Sequence, residues 1–456
     1  MSAAIHWFRR DLRLGDNLAL AAAARDFDVV IPVFVLDDHY LDDPSVGPSR
    51  FVFLRESLDD LDRSLRFAGS RLVLRAGPAH RALPALLSET GATAVYANEE
   101  IGPYPQRRDA EAQRAVESAR AKFRLFSDSV AVDPREILTS DGRPYTVFTP
   151  FAKKWRAAEK PGPAHPPAAI ATPDVPGVPL SRVRAWRDLP RNPRAPSGGE
   201  TEALRTLDAF LARSAFYGAW RDFPGQEGTS RLSAALHFGT VSPRTILDRA
   251  RAKWLDSAPE ERRSIDAFVT QIAWREFFHA VLFHFPHVAA GAFRRELDAL
   301  EWDGPGAGYL AWTEGRTGFP FIDAAMRQLL AENWMHNRAR MAVASFLTKD
   351  LHVDWKMGER WFAHNLADAD LANNNGGWQW AAGTGVDAAP YFRVFNPVLQ
   401  GKRFDPSGDY IRRYVPELAH LSDAEIHEPR DPIVDHAAEK AETLRRFERI
   451  RKRAGA

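Results

Sequence analysis

Ten prolines fall between residues 161 and 196. A segment that repeatedly lacks a backbone donor and has few apolar runs can neither continue a helix nor join a sheet, so it reads as a long connector. The chain has 456 residues, more than the roughly 100–200 of one ordinary domain. The expected division is a first domain over residues 1–130, a proline-rich linker over 131–199, and a second domain over 200–456.

The two sides of the connector differ in kind. Before it, short apolar runs at residues 4–8, 29–36 and 71–74, with weaker ones at 94–97 and 123–126, alternate with helical patterns at 17–25, 49–68, 79–90 and 107–122. Such alternation implies βαβ units, a parallel sheet and helices on both faces. After residue 200 the spacing is helical almost throughout, at 200–214, 230–237, 264–285, 321–332, 336–350, 357–365 and 433–453. The fold class expected is α/β followed by all-α.

Cysteine is absent, which excludes disulfides, thiolate nucleophiles and cysteine-held metals, and leaves redox chemistry to a cofactor. The N-terminus carries Arg9, Arg10, Asp11 and Arg13 in place of an apolar signal core, so the cytoplasm is the expected compartment. No stretch reaches the roughly 20 apolar residues of a membrane helix. Net charge is +1, so a bound polyanion would need a local basic patch. Of thirteen tryptophans, ten lie after residue 200, an imbalance that asks for a function.

Several constellations carry chemistry. Asp16 or Asn17 is placed to cap the helix after the first strand. Glu227 to Ser233 brings hydroxyls, an arginine and a glycine to a helix start expected at Thr229 or Ser230 and a helix end at Gly239, which suits either an anion site or a plain cap. Phe268, Gln271, Trp274, Arg275 and Phe278 fall at helical steps, as do Trp334, Asn337, Arg338 and Met341 with Arg340 beside them. Each unpaired buried polar group costs about 1–3 kcal/mol, so amides and guanidiniums among large aromatics read as the wall of a pocket for a flat, polar-edged ligand. Asp368 to Trp380 contains two carboxylates, three asparagines and a Gly-Gly pair. It is expected to form a loop that a ligand can approach closely, without a histidine nearby to make a metal or acid–base site. His279, His284 and His287 are expected to be core or surface residues, and the glycines at 383–385 lack the preceding strand of a dinucleotide fingerprint.

Together these motifs resemble the photolyase/cryptochrome family, and class I cyclobutane pyrimidine dimer photolyases most closely. His6-Trp-Phe-Arg-Arg-Asp-Leu-Arg-Leu, Glu227-Gly-Thr-Ser-Arg-Leu-Ser, Trp274-Arg-Glu-Phe, Trp334-Met-His-Asn-Arg-Ala-Arg-Met and Asn373-Asn-Asn-Gly-Gly-Trp-Gln-Trp carry the likeness in order along the chain. The resemblance implies an α/β antenna domain, a wrapping linker and a helical domain that holds FAD. It implies that Tyr217, Thr229, Ser230, Arg231, Leu232 and Ser233 hold the FAD phosphates. Arg275 and Asn337 would also touch the cofactor, Arg340 would pair with Asp368, and Asp368, Asp370 and Asn374 would edge the flavin. Trp302, Trp355 and Trp378 would relay electrons to it. Trp274 and Trp380 would wall a cavity for the flipped-out dimer, with Gln271, Asn337 and Met341 at its floor and Arg338, Arg393, Gln400, Lys402 and Arg403 gripping DNA phosphates.

The activity implied is light-driven repair of cyclobutane dimers in damaged double- or single-stranded DNA by a monomer, through an electron lent by the excited reduced flavin and then returned. A blue-light receptor without repair, or repair of the (6-4) photoproduct, is the alternative. Gln271 stands where class I enzymes carry a glutamate; it can still donate an N–H to the dimer carbonyl. Asn337 and Met341 stand where (6-4) enzymes have histidines, and Trp380 where DASH-type cryptochromes tend to have tyrosine. The stretch from Glu100 to Asp109 looks more like relatives with a deazaflavin or FMN antenna than folate-binding ones, or like a chain with no second chromophore.

Overall fold

The computed structural model describes residues 1–182, 189–388, 390 and 393–454. Five strands, β1 (Ala3–Phe8), β2 (Val29–Leu36), β3 (Val73–Ala76), β4 (Ala94–Asn98) and β5 (Lys122–Phe126), form one parallel sheet in the order β3-β2-β1-β4-β5. Ile5 pairs in register with Ile31 on one side and Val95 on the other, and all three are buried on a sheet covered on both faces. The strand order reverses between β1 and β4, so the turn of Arg9 to Leu14 leaves the sheet at its topological switch point.

The helices of this half are α1 (Leu18–Asp26), α2 (Asp38–Asp42), α3 (Pro48–Phe67), α4 (Ala79–Thr90) and α5 (Pro103–Ser118). Asn17 caps α1, accepting from the Leu20 N–H. The helix expected from residue 107 starts at Pro103, because prolines in a first turn lose no helical bond.

The second half contains α6 (Phe148–Ala157), α7 (Glu200–Ala212), α8 (Tyr217–Trp220), α9 (Ser233–Phe238), α10 (Pro243–Leu255), α11 (Pro259–His284), α12 (Ala307–Glu314), α13 (Pro320–Glu332), α14 (Asn337–Lys349), α15 (Trp355–Asn365), α16 (Leu371–Ala382), α17 (Pro397–Phe404), α18 (Asp409–Tyr414) and α19 (His436–Ala454). Three differences from the sequence reading matter. First, α6 lies inside the expected linker. Its Phe148, Phe151 and Trp155 recur at helical spacing ahead of the prolines and enter the core of the helical half. Second, residues 371–382 are helix and not loop. Asp370 caps the helix, and Gly376 is there for packing, since a Cβ on it would sit 2.2 Å from Cδ1 of Phe278. Third, α9 starts at Ser233, three or four residues beyond the expected start.

The halves are locked together through the switch-point turn. Gly239, left-handed at φ 65°, ends α9, and a Cβ there would lie 2.0 Å from the Arg10 carbonyl oxygen. Arg244 of α10 donates to Asp128 at 2.6 Å and lies 3.1 Å from Asp16, and Arg13 donates to the other Asp128 oxygen. All four side chains are buried.

Candidate FAD and DNA-lesion site

Among the described residues, a cavity of about 450 Å³, another of about 290 Å³ and a buried polar layer lie in the helical half. The first cavity, about 450 Å³, is lined by Arg194, Arg213, Glu227, Thr229, Arg231, Glu332, Arg413 and Tyr414. Its four guanidiniums against two carboxylates favour an anion. Arg231 reaches it from a left-handed backbone (φ 53°), pairs with Glu332 at 3.0 Å and lies 4.1 Å over the Trp334 ring. Leu232 and Tyr217 are buried in an apolar cluster of the helical half, and Tyr217 packs edge-on to Phe210 and Phe268. Burial pushes the Tyr217 phenol up to about 12, so it stays a neutral donor.

In the polar layer, Arg340 of α14 donates to the Met335 carbonyl at 2.8 Å and to Oδ2 of Asp368 at 2.7 Å. Oδ1 of Asp368 is buried without a partner. An orphaned carboxylate oxygen held by an arginine calls for a donor from a ligand, and a flavin ring with its N–H edge supplies one. The residues present therefore fit FAD.

Asp370 behaves differently from Asp368. Its carboxylate accepts from the Asn373 N–H at 3.0 Å and the Asn373 amide at 2.7 Å, and Oδ2 faces His279 at 3.5 Å, with His237 and Arg10 each at 3.7 Å. Burial opposes its charge, but His279, His237 and Arg10 together hold the carboxyl well below the usual range. Burial likewise pulls His237 down to about 4. The sequence expectation that no histidine lies near the carboxylate pair is thus corrected. His237 and His279 come from α9 and α11, far away in the chain, and Arg10 from the first half. Arg275 donates to the Ser129 carbonyl at 2.9 Å in the same layer. The Asn374 amide donates to the Glu359 carbonyl at 3.0 Å.

Trp355 and Trp378 are buried in one apolar cluster, with Trp302 half-buried at its margin against Leu300, Phe447 and Ile450. Trp378 packs edge-on to Phe362 at 5.0 Å, and its indole N–H has no partner.

The second cavity, about 290 Å³, is lined by Arg338, Met341, Trp380, Arg393, Phe395, Gln400, Arg403 and Phe404. Six of the residues expected at the lesion are here, brought together from α14, α16, α17 and the segment between. Arg338 lies 4.3 Å over the Phe404 ring and donates to Asp222. Other expected residues lie elsewhere. Trp274 is stacked face to face on Phe148 of α6, 3.6 Å between ring centroids. Gln271 is half-buried on α11, Asn337 is exposed at the start of α14, and Lys402 pairs with Glu428 at 2.7 Å. Phe395 and Phe404 were not singled out from the sequence, because neither falls in a spaced motif.

Residues 4–171 match the DNA photolyase model, and residues 268–449 match the model of the FAD binding domain of DNA photolyase. The chain is 42% identical over 478 residues to the deoxyribodipyrimidine photo-lyase of Halobacterium salinarum, covering 98% of this chain and 99% of the other. The chain belongs to the DNA photolyase family. Among solved structures of the family it resembles a bacterial class III photolyase from Agrobacterium tumefaciens, with TM-score 0.92, 39% identity and coverage of 99% and 98%. It also resembles an archaeal photolyase from Sulfolobus tokodaii with two FAD molecules, with TM-score 0.85, 32% identity and coverage of 98% and 100%. The second half is thereby a FAD-binding domain, in agreement with the orphaned oxygen of Asp368. Among the described residues no helix is long and apolar enough to cross a membrane, and no cluster of acidic and histidine side chains is arranged to hold a metal.

Proposed function

We propose that this protein repairs cyclobutane pyrimidine dimers in DNA under light, with FAD bound in the helical half and the dimer in the 290 Å³ cavity. The observation that carries the reading is the make-up of that cavity: Met341, Trp380 and Phe395 form apolar and aromatic walls, and Arg338, Arg393 and Arg403 ring them. Flat bases and phosphates are the ligand that such a lining recognises. The substrate proposed rests on this cavity and not on the class within the family.

Flipping the lesion out of the duplex costs a few kcal/mol, and stacking on an aromatic side chain returns about 1–3 kcal/mol per base. Trp380 and Phe395, 6.4 Å apart between centroids, supply those faces. Arg338, Arg393, Gln400 and Arg403 would take the phosphates on either side, with Lys402 and Gln271 joining from outside the lining. Arg338 must exchange Asp222 for a phosphate to do so.

When bound, the reduced flavin supplies on excitation the electron that opens the cyclobutane ring, and it receives that electron back. The chain binds it through Tyr217, Thr229, Ser230, Arg231, Leu232 and Ser233 at the phosphates and through Arg275, Asn337, Asp368 and Asn374 around the ring system. Arg340 holds Asp368 in orientation. Asp370, engaged by protein groups, ties this layer to Arg10 of the first half. Trp378, Trp355 and Trp302, running from buried to half-exposed, would carry electrons inward to restore the reduced cofactor. The first half would hold a deazaflavin or FMN antenna, and the protein would act as a monomer in the cytoplasm.

The test is binding in the dark. The FAD-loaded protein should prefer an oligonucleotide with a thymine dimer to the undamaged strand, and Trp380→Ala should abolish the preference while FAD is retained. Equal binding of both oligonucleotides by the wild type would contradict the reading.

A further inference from the structure

We propose that Lys349 is a positioning residue for the lesion cavity: with Ser345 it fixes the backbone that presents Arg393 and Phe395. The proposal rests on the reading of that cavity as the lesion site. On α14, residues 338, 341, 345 and 349 form a single stripe at steps of three and four. Arg338 and Met341, at its start, line the cavity directly. Ser345 and Lys349, one and two turns farther on, instead bind the segment that crosses over them. The Phe395 N–H donates to the Ser345 hydroxyl at 3.4 Å, and the Lys349 ammonium donates to the Arg393 carbonyl at 3.1 Å. One helix face thus supplies two cavity residues and holds two more.

Lys349 is only 1% exposed. Burial, aided by the charge of Arg393 and opposed by that of Asp350, pulls its ammonium down to about 8. Packing alone would favour Met or Leu at such a place, since a buried ammonium is costly unless what it binds must be held. What it binds is the peptide of a cavity arginine whose own N–H is fixed by the Pro390 carbonyl at 2.7 Å. With both sides of Arg393 pinned, only its guanidinium is left to adjust to a phosphate, which lowers the ordering cost of binding. The Lys349 carbonyl in turn accepts from Thr443 of α19 at 2.6 Å, so the anchor is itself braced.

The experiment compares binding of dimer-containing and undamaged oligonucleotides by FAD-loaded wild type, Lys349→Met, Arg393→Ala and the double variant. Lys349→Met is expected to weaken dimer binding about five- to tenfold, the scale of one lost hydrogen bond, with undamaged binding, FAD content and light-driven flavin reduction unchanged. In the Arg393→Ala background the same change should have no further effect, because it acts through Arg393. Unchanged dimer affinity, or an equal loss in both backgrounds, overturns the role of Lys349 while the cavity reading stands. A wild type without dimer preference overturns both. Should Lys349→Met fail to fold with FAD, Ser345→Ala decides: about a two- to threefold loss of dimer affinity is expected, and no loss overturns the proposal.

Discussion

A Cβ at Gly358 would lie 2.1 Å from Cη2 of Trp378. The helix α15 therefore runs directly against the indole that the proposed electron path places next to the flavin, and the seat of Trp378 exists because residue 358 has no side chain. Gly358→Ala has to displace either the ring or the helix, and overpacking of this kind costs about 1–3 kcal/mol. The expected outcome is a lower melting temperature together with slowed light-driven reduction of the flavin, read from its visible absorbance. Retention of the wild-type reduction rate would separate Trp378 from that path.

The interdomain cluster predicts a pH signature. Burial works against the charge on Asp128, yet Arg13 and Arg244 outweigh it and hold the carboxyl below its ordinary value. A depressed carboxyl contributes stability that is present above its unfolded value near 4 and is lost as pH falls through its folded value. Asp128→Asn should cost about 3–5 kcal/mol at pH 7, because it removes the buried negative charge that two buried guanidiniums share. The difference should narrow below pH 4, as judged by denaturant unfolding at both pH values.

Glu359 predicts the reverse. Burial pushes its carboxyl up to about 7, opposed by the hydrogen bond from Asn375. A raised value means that the folded protein keeps a proton the unfolded chain has released, so the contribution is complete below about pH 4 and declines as pH rises through 7. Glu359→Gln keeps an oxygen for Asn375 and removes the charge. It should match wild type near pH 4.5 and be more stable by about 1–3 kcal/mol at pH 8, measured by melting at the two pH values.

Much of this architecture was legible in the chain, for identifiable reasons. Apolar runs long enough to be buried on both faces marked β1 and β2, and of the two capping candidates, Asp16 and Asn17, the second starts α1. Helical spacing put Arg338 and Met341 on one face, whereas Trp380 joined them only through the family resemblance. The failures also have causes. Gly376 and Gly377 read as a break, but glycine in a helix is tolerated where a neighbour needs the space, as Phe278 does here. Phe148 was hidden because the prolines after it coloured the whole segment as linker, although it meets Trp274 face to face. Histidines beside Asp370 could not be foreseen, since His237, His279 and Arg10 reach it from three separate parts of the chain and pattern within one segment carries no such information.

The central claim is light-driven dimer repair, and one measurement tests it most directly. The purified protein, with its FAD reduced, is mixed with a thymine-dimer oligonucleotide and illuminated with blue light, and the recovery of ultraviolet base absorbance is followed against a dark control. Recovery in the light alone is the result predicted. No recovery, with FAD bound and reduced, would contradict the account.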